Sequence, residues 1–328
     1  MLDERALQEI WYGGRAPGLS LRLLSIIFGA VSDLRRRLYG WKILPRVRLR
    51  MPVIVVGNIT VGGTGKTPLV IALVAALRER GWKPGVVSRG YAGASRGVIR
   101  VDADSDAAMV GDEAKLIFES ADVPVMVGRD RVAAGQALIE AADVNVIIAD
   151  DGLQHYRLMR DVEICVIDGQ RRFGNGRLLP AGPLREDEHR LERVDFRVCN
   201  GDGAETGEVP MRLVADHAVA LVDSAHRNPL SAFAGRRVHA VAGIGNPSRF
   251  FASLRVLGMD VIEHPFADHH AFASTDLDFG DDAPIMMTDK DAMKCGKFAS
   301  DNVWRVPVRT ELPPSFFDQV HASLNRNR

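Results

Sequence analysis

Gly57 to Pro68 reads GNITVGGTGKTP. The run before and into it, PVIVVGNI (Pro52 to Ile59), is almost continuously apolar, as a strand buried on both faces of a parallel sheet is. The run after it, TPLVIALVAALRERG, reads as a helix ending at Gly81. A glycine-rich loop between a buried strand and a helix N-terminus turns its backbone N–H groups toward an anion. The segment therefore reads as a nucleotide-phosphate loop formed by Gly62, Gly63, Thr64, Gly65, Lys66 and Thr67. Lys66 would reach the β- and γ-phosphates, and Thr67 would offer its hydroxyl to Mg²⁺. Gly62 and Gly63 supply backbone freedom. One position departs from G-x-x-x-x-G-K-[ST]: Thr60 stands where the first glycine belongs. The competing reading is a ligand-free glycine turn, and the GKT ending in a strand–helix context argues against it.

Outward from the loop, strands and helices alternate. KPGVVSRGY gives a second strand, GDEAKLIFES a helix start, VPVMVGRD a third strand and RVAAGQALIEAA a third helix. DVNVIIADDGLQH, VEICVIDGQ and DFRVCNG supply further strands. This alternation predicts an α/β fold of the P-loop NTPase type with a mainly parallel sheet. Asn200 to Pro210, NGDGAETGEVP, is read as a hinge, followed by a second, smaller α/β unit. There RRVHAVAGIGNPSRFFASLRVLGMDVIEHPF reads as strand, turn, helix and strand, with APIMMTDKDAMKC and VWRVPV as further strands. The expected division is an N-terminal helix region at 1–45, a kinase-type domain at 46–205 and a C-terminal unit at 206–328. GIGNPS lacks the third glycine of a dinucleotide fingerprint. Asn246 as helix N-cap with Pro247 at the first helical position explains it more simply.

Composition narrows the classes. With 328 residues and 46% hydrophobic content, the chain can bury a large core. Its 42 basic residues balance 42 acidic ones, so no nucleic-acid partner is expected. Three widely spaced cysteines, Cys165, Cys199 and Cys295, form no CxxC pair and suit a reducing compartment. No apolar run is long enough to span a bilayer, and the N-terminus lacks a signal peptide's order of regions. Between Arg15 and Arg50, however, nine basic residues face only Asp33. Inside that region LSLRLLSIIFGAVSDLRRRLYGW places Arg22, Ser25, Gly29, Ser32, Asp33 and Arg36 on one helical face and apolar residues on the rest. Such a helix either lies in a membrane interface or packs on the domain core.

Several positions carry candidate chemistry. VNVIIADD ends a strand in Asp150 and Asp151, and adjacent carboxylates invite a cation such as Mg²⁺. The alternative is a solvated Asp-Gly turn. Asp112 and Glu113 of GDE sit at a helix start, where they either favour the helix dipole or act as base or metal-side carboxylate. His269 in FADHHAF is a proton-transfer candidate. RRFGNGRLLPAGPLRE, Arg171 to Glu186, is long and polar for a connector. Its Arg171, Arg172, Arg177 and Arg185 either meet an anionic substrate or solvate a loop.

Taken together, GNITVGGTGKTP, VVSRGY, VGDEA, IIADDGLQH, VIDGQRRFGNGRLLPAGPLRE, GIGNPSRFF, FADHHAF and TDKDAMK run in order through nearly the whole chain. In these motifs the chain resembles the tetraacyldisaccharide 4′-kinases, the lipid A 4′-kinases of Gram-negative bacteria. The resemblance implies phosphorylation of a lipid-linked glucosamine disaccharide at its 4′-hydroxyl, with ATP and Mg²⁺. It also implies a two-domain fold with a cleft, and a place on the cytoplasmic face of the inner membrane, held by an amphipathic helix at about Gly18 to Trp41. No protein partner is implied. The family's P-loop residues match Lys66 and Thr67. Its catalytic aspartate matches Asp112 and the partnering histidine His269, with His270 as the alternative register. Its metal-side carboxylates match Asp150 or Asp151, joined by Glu113 and Glu186. Arg89 of VVSRGY joins Arg171, Arg172 and Arg177 as substrate-binding candidates. TDKDAMK has Asp289 where the family pattern has glutamate; this segment, with Asp291, is expected near the nucleotide base. The rival readings are a P-loop switch GTPase of metallochaperone type and a cytosolic small-molecule kinase.

Overall fold

The computed structural model describes residues 4–90, 97–296 and 298–326. Along the first half run α1 (Glu4–Trp11), α2 (Leu19–Gly40), β1 (Val53–Gly57), α3 (Lys66–Glu79), β2 (Pro84–Ser88), β3 (Ile99–Arg100), α4 (Ala107–Val110), α5 (Asp112–Ala121), β4 (Val125–Val127), α6 (Arg131–Ala141), β5 (Val146–Asp150) and β6 (Val162–Asp168). There follow β7 (Phe196–Asn200), β8 (Glu208–Val214), β9 (His217–Ala220), β10 (Arg227–Pro229), β11 (Arg237–Ala242), α7 (Pro247–Val256), β12 (Asp260–Pro265), β13 (Ile285–Thr288), α8 (Asp289–Ala292), β14 (Val303–Val306), β15 (Arg309–Glu311) and α9 (Pro314–Arg326).

Among the described residues the strands form two sheets. The larger has nine strands in the order β15-β8-β7-β6-β1-β5-β2-β4-β3. It is parallel except at its two edges, where β15 and β3 run antiparallel to their neighbours. Alternate side chains of each inner strand go to opposite faces, and both faces are covered. Ile54 and Val56 meet Leu69, Leu73 and Leu77 of α3 on one face; Val53 and Val55 meet Val132 and Leu138 of α6 on the other. Cover on both faces is why β1 reads as an unbroken apolar run rather than an alternating one. The smaller sheet has the order β10-β9-β14-β13-β11-β12. β11 to β14 pair in parallel, while β9 pairs antiparallel with both β14 and β10.

Two boundaries differ from those expected. Asn200 to Pro210 is no hinge between sheets: Asn200 ends β7, and Glu208 opens β8, which pairs in parallel with β7. The chain also returns at its end. β15 pairs with β8 of the larger sheet, and Phe316, Val320 and Leu324 of α9 enter the core beneath α3. The smaller sheet is therefore drawn from residues between His217 and Val306. The reason is packing: α9 and β15 cover apolar surface on the larger sheet's open flank. Tyr91, the last residue of VVSRGY, lies outside the described residues.

At the N-terminus, Ile10 and Trp11 of α1 bury against Leu21 and Ala181. Helix α2 packs through its small and polar side. Ser25 Oγ donates to Leu178 O at 2.8 Å, and a Cβ on Gly29 would stand 2.8 Å from Leu178 Cδ1. The wide apolar side is left outside: Leu19, Leu23, Leu24, Ile26, Ile27, Val31 and Leu34 are 53–74% exposed. Of the two readings of this helix, burial of its apolar face in the core is not what the fold shows. No helix among the described residues is long and apolar enough to cross a membrane.

Candidate functional site

The glycine-rich loop expected to bind phosphate joins β1 to α3. Gly62 and Gly65 hold φ of 108° and 95°, left-handed values that a side chain tolerates poorly. Gly65 also has no room for one, because a Cβ there would lie 2.4 Å from Asn200 Nδ2. That amide donates to Thr64 O at 3.0 Å and so fixes the loop from β7. Thr60 is absent from the positive-φ residues. It bridges to Leu184, and Val61 N donates to Pro183 O at 2.8 Å. The departure from the P-loop pattern thus falls on a residue that pairs with the RRFGNGRLLPAGPLRE loop, ahead of the positive-φ glycines.

Beside the loop, at the end of β5, Asp150 and Asp151 occupy different environments. Lys66 Nζ is 3.6 Å from Asp151 Oδ1, and Arg185 Nη1 is 3.0 Å from the same oxygen. Burial would raise the Asp151 pKa, but these two cations override it and hold the carboxyl well below its usual range. Asp150 is 3% exposed. Burial pushes its pKa up to about 6, Lys66 opposing and Asp151 and Glu113 adding to the rise. Its Oδ2 accepts a long 3.4 Å bond from Ser88, and its Oδ1 is buried without a hydrogen-bond partner among the described residues. Buried polar atoms are rarely left so. Arg131, which the sequence reading passed over, lies beneath: Nη2 donates to Asp150 O at 3.4 Å, and burial lowers its pKa to about 10.

A second group faces this one from the smaller sheet. Asp112 is the first residue of α5, after Gly111 with φ 90°. His269 follows β12 and adopts a left-handed φ of 63°, uncommon without glycine. Its Nδ1 is 3.2 Å from Asp112 Oδ2. His270 points elsewhere, to Asp276 Oδ2 at 3.0 Å, so His269 is the histidine brought to Asp112. The hydrogen bond to Asp112 raises the His269 pKa against the effect of burial. For Asp112, burial works upward, and His269 with Lys294 outweighs it, leaving the pKa lowered.

TDKDAMK contributes two lysines to this group. Lys294 Nζ lies 3.0 Å from Asp112 Oδ2. Lys290 Nζ lies 2.8 Å from Glu113 Oε1 and 3.1 Å from Asp268 Oδ1. Burial would lower the Lys290 pKa, but these two carboxylates raise it. Asp291 is fully buried and accepts from Gly243 N at 2.8 Å and Thr288 Oγ1 at 2.6 Å, ordering the end of β11. Asp289 pairs with Arg305 at 2.8 Å. The two lysines were missed; their spacing of four, one helical turn, was the available signal.

Other expected site residues are deployed differently. Glu186 is committed to Gln154 Nε2 at 2.7 Å, to Tyr156 OH and to Arg190. Glu113 is paired with Lys290, although its charge still reaches Asp150. Arg172 makes a bidentate pair with Glu208, 2.9 Å on each arm. Arg171 donates to Gly245 O and lies over the Tyr12 ring. Arg177 and Arg89 are exposed, Arg89 at the end of β2 with its charge felt by Arg131. Asn246 does take the N-cap position of α7 with Pro247 behind it, yet its side chain makes no cap bond. It reaches instead to Asp168 at 3.4 Å, where Arg249 also binds at 2.6 Å. GIGNPS is thus a joint between the sheets.

Comparison with known proteins gives one consistent result. A family described as tetraacyldisaccharide-1-P 4′-kinase (LpxK) matches residues 18–325. The chain is 50% identical to the tetraacyldisaccharide 4′-kinase of Azoarcus sp. (strain BH72), covering 97% of this chain and 95% of that protein. It is 51% identical to that of Stenotrophomonas maltophilia (strain R551-3), covering 97% and 96%. Among solved structures it is similar to LpxK from Aquifex aeolicus in complex with ATP. The TM-score there is 0.77 at 28% identity, over 93% of this chain and 98% of the other.

Proposed function

The chain belongs to the tetraacyldisaccharide 4′-kinase family, and on that premise we propose how its own residues carry out the reaction. It is an ATP-dependent phosphotransferase that acts on the 4′-hydroxyl of a tetraacyl glucosamine disaccharide 1-phosphate in lipid A biosynthesis. The observation that carries the assignment of roles is the 3.2 Å approach of His269, from the smaller sheet, to Asp112, from the larger, beside the phosphate loop.

The loop amides of Gly62 to Thr67 and Lys66 cradle the β- and γ-phosphates. Asp150 and Thr67 would hold Mg²⁺. The unpartnered Asp150 Oδ1 supports this, as does the neutralisation of Asp151 by Lys66 and Arg185. The metal would supply neutralisation of charge on the transferring phosphoryl group. Glu186 is too fully engaged by Tyr156, Gln154 and Arg190 to share that task.

Proton removal falls to the Asp112–His269 pair. A carboxylate whose pKa is depressed is a weak proton acceptor, so the capacity lies with neutral His269, and Asp112 orients it. Lys294 anchors Asp112, and Lys290 holds Glu113 and Asp268. Because these groups come from both sheets, the two act as lobes that must stay in register. Arg177 and Arg89, both exposed, would meet the anionic substrate.

Helix α2 keeps the enzyme at the lipid surface. Its exposed apolar side and basic end support a monotopic position, on the cytoplasmic face of the inner membrane where ATP is present. The deciding experiment supplies labelled ATP and lipid disaccharide to purified protein. Labelled lipid is expected. Nucleotide hydrolysis without labelled lipid would favour a switch protein, and full activity on a soluble sugar would favour a small-molecule kinase.

A further inference from the structure

The basic end of α2 does more than stay in solution. Two adjoining grooves open along its last turn, of about 390 Å³ and 180 Å³. They share Arg36, Gly40 and Arg193, so they form one trough between α2 and the 3₁₀ turn Glu188–Arg193. Arg37 and Trp41 line its outer end, and Arg46 and Tyr156 its inner end. Among the described residues the one carboxylate lining the outer end is Asp33, which already serves both Arg36 and Arg37. At the inner end Glu163 is taken by Arg160 and Arg190 at 2.7 and 2.6 Å. Arg46 and Arg193 are exposed and have no ion-pair partner among the described residues. The trough therefore carries a surplus of positive charge that the protein does not neutralise.

Its position narrows what could neutralise it. The trough borders the polar side of the helix whose other side exposes Leu23, Ile27, Val31 and Leu34. A helix lying in a membrane interface sinks its apolar side toward the acyl chains. The flank beside its polar side is then at the depth of the phosphate groups. Trp41, at the outer end of the trough, is 63% exposed, and tryptophan is favoured at that depth. We propose that this trough is a binding site for the phosphodiester headgroup of an anionic lipid, held by Arg46 and Arg193 with Arg36. The proposal rests on the interfacial reading of α2. The ligand chemistry is a phosphate ester, and the source assigned is the membrane, because the trough and the apolar side adjoin.

The test is co-sedimentation with vesicles of phosphatidylcholine alone and of phosphatidylcholine mixed with phosphatidylglycerol. Wild-type protein is expected to prefer the anionic vesicles. Arg46→Gln/Arg193→Gln should lose about tenfold in affinity for them, the scale for removing two surface cations, while binding neutral vesicles as before. Its turnover on detergent-dispersed substrate should be unchanged. The control Arg22→Gln/Arg35→Gln removes the same charge from α2 outside the trough and should lose less. Equal losses in the two pairs would mean diffuse attraction and overturn the site. Release from anionic vesicles by millimolar glycerol phosphate would reassign the trough to soluble phosphate esters. Failure of wild-type protein to bind either vesicle would overturn the interfacial reading of α2 itself. Binding to both with an unaltered preference in Arg46→Gln/Arg193→Gln would overturn the headgroup site alone.

Discussion

Lys294 Nζ stands 3.0 Å from Asp112 Oδ2, the same carboxylate oxygen that His269 Nδ1 approaches. The oxygen is thus fixed from two directions by side chains of the smaller sheet's loops. A carboxylate that only balanced the α5 helix dipole would need neither. The arrangement makes Asp112 an oriented group whose aim depends on the far lobe, and gives TDKDAMK a task in holding that carboxylate.

Asp112→Ala should lower turnover at least about a hundredfold, the scale for losing a member of an acid–base pair. Lys294→Met should cost less, about tenfold, with KM for ATP unchanged, and Lys294→Arg should recover part of the loss. Steady-state kinetics on folded, monodisperse protein checks both. Near-wild-type turnover in Asp112→Ala would remove it from the mechanism. A Lys294→Met defect that appears as ATP affinity would return that lysine to the nucleotide side.

The pH profile has a definite sign. On the proposed mechanism neutral His269 is the competent form, and its pKa is raised by the Asp112 hydrogen bond. Activity is then present above that raised pKa and lost as pH falls through it, so the acid limb of kcat/KM should lie above about 6.5, the ordinary histidine value. Lys290 pulls the His269 pKa down. Lys290→Met also leaves Glu113 and Asp268 unneutralised, so the limb should move to higher pH. A limb that stays in place, or moves down, would show that His269 is not the group being titrated.

Much of this was legible in the sequence, for physical reasons that also explain the rest. β1 and α3 announce themselves because burial on both faces demands apolar residues without interruption, and Gly65 because its φ and its contact with Asn200 both exclude a side chain. His269 and Asp112 could be paired only through family resemblance, since they are 157 positions apart. Arg172 and Glu186 read as ligands because a charged residue in a loop looks the same whether it meets a substrate or an internal partner. The return of β15 and α9 to the larger sheet carries no local signal: an amphipathic helix fits either lobe.

Removal of divalent metal should abolish phosphoryl transfer, and Asp150→Asn should raise the Mg²⁺ concentration needed for half-maximal turnover by at least about tenfold, as losses at metal-site residues do. The expectation follows from Asp150 Oδ1, buried with no hydrogen-bond partner among the described residues. Asp151→Asn should act mainly through Lys66 and Arg185, which it neutralises, and raise KM for ATP. A Mg²⁺ titration of each variant separates the two. Equal Mg²⁺ requirements in Asp150→Asn and wild type would move the metal elsewhere.

The sheets touch at two glycines, and that contact gives the sharpest mutational test. A Cβ on Gly245 would lie 2.3 Å from Gly63 N and 3.1 Å from Gly62 C. Both are backbone atoms of the glycine-rich loop, so no side chain can swing away to make room. Gly245→Ala must shift either the loop or the start of α7, at a cost of about 1–3 kcal/mol, the range for overpacking a tight contact. The shift falls on Gly63, one of the amides assigned to the phosphates, and on Arg171, Asn246 and Arg249, which tie the lobes together. Gly245→Ala should therefore raise KM for ATP and lower turnover about tenfold together. The reverse substitution is a built-in control. A Cβ on Gly63 would stand 3.5 Å from Gly245 N, an ordinary contact, and Gly63 has no positive φ. Gly63→Ala should then change either parameter by less than about threefold, since surface-type changes without such clashes stay within about 0.5 kcal/mol. If Gly63→Ala is the more damaging of the two, the loop's amide geometry, and not the joint between the sheets, is what the glycines protect.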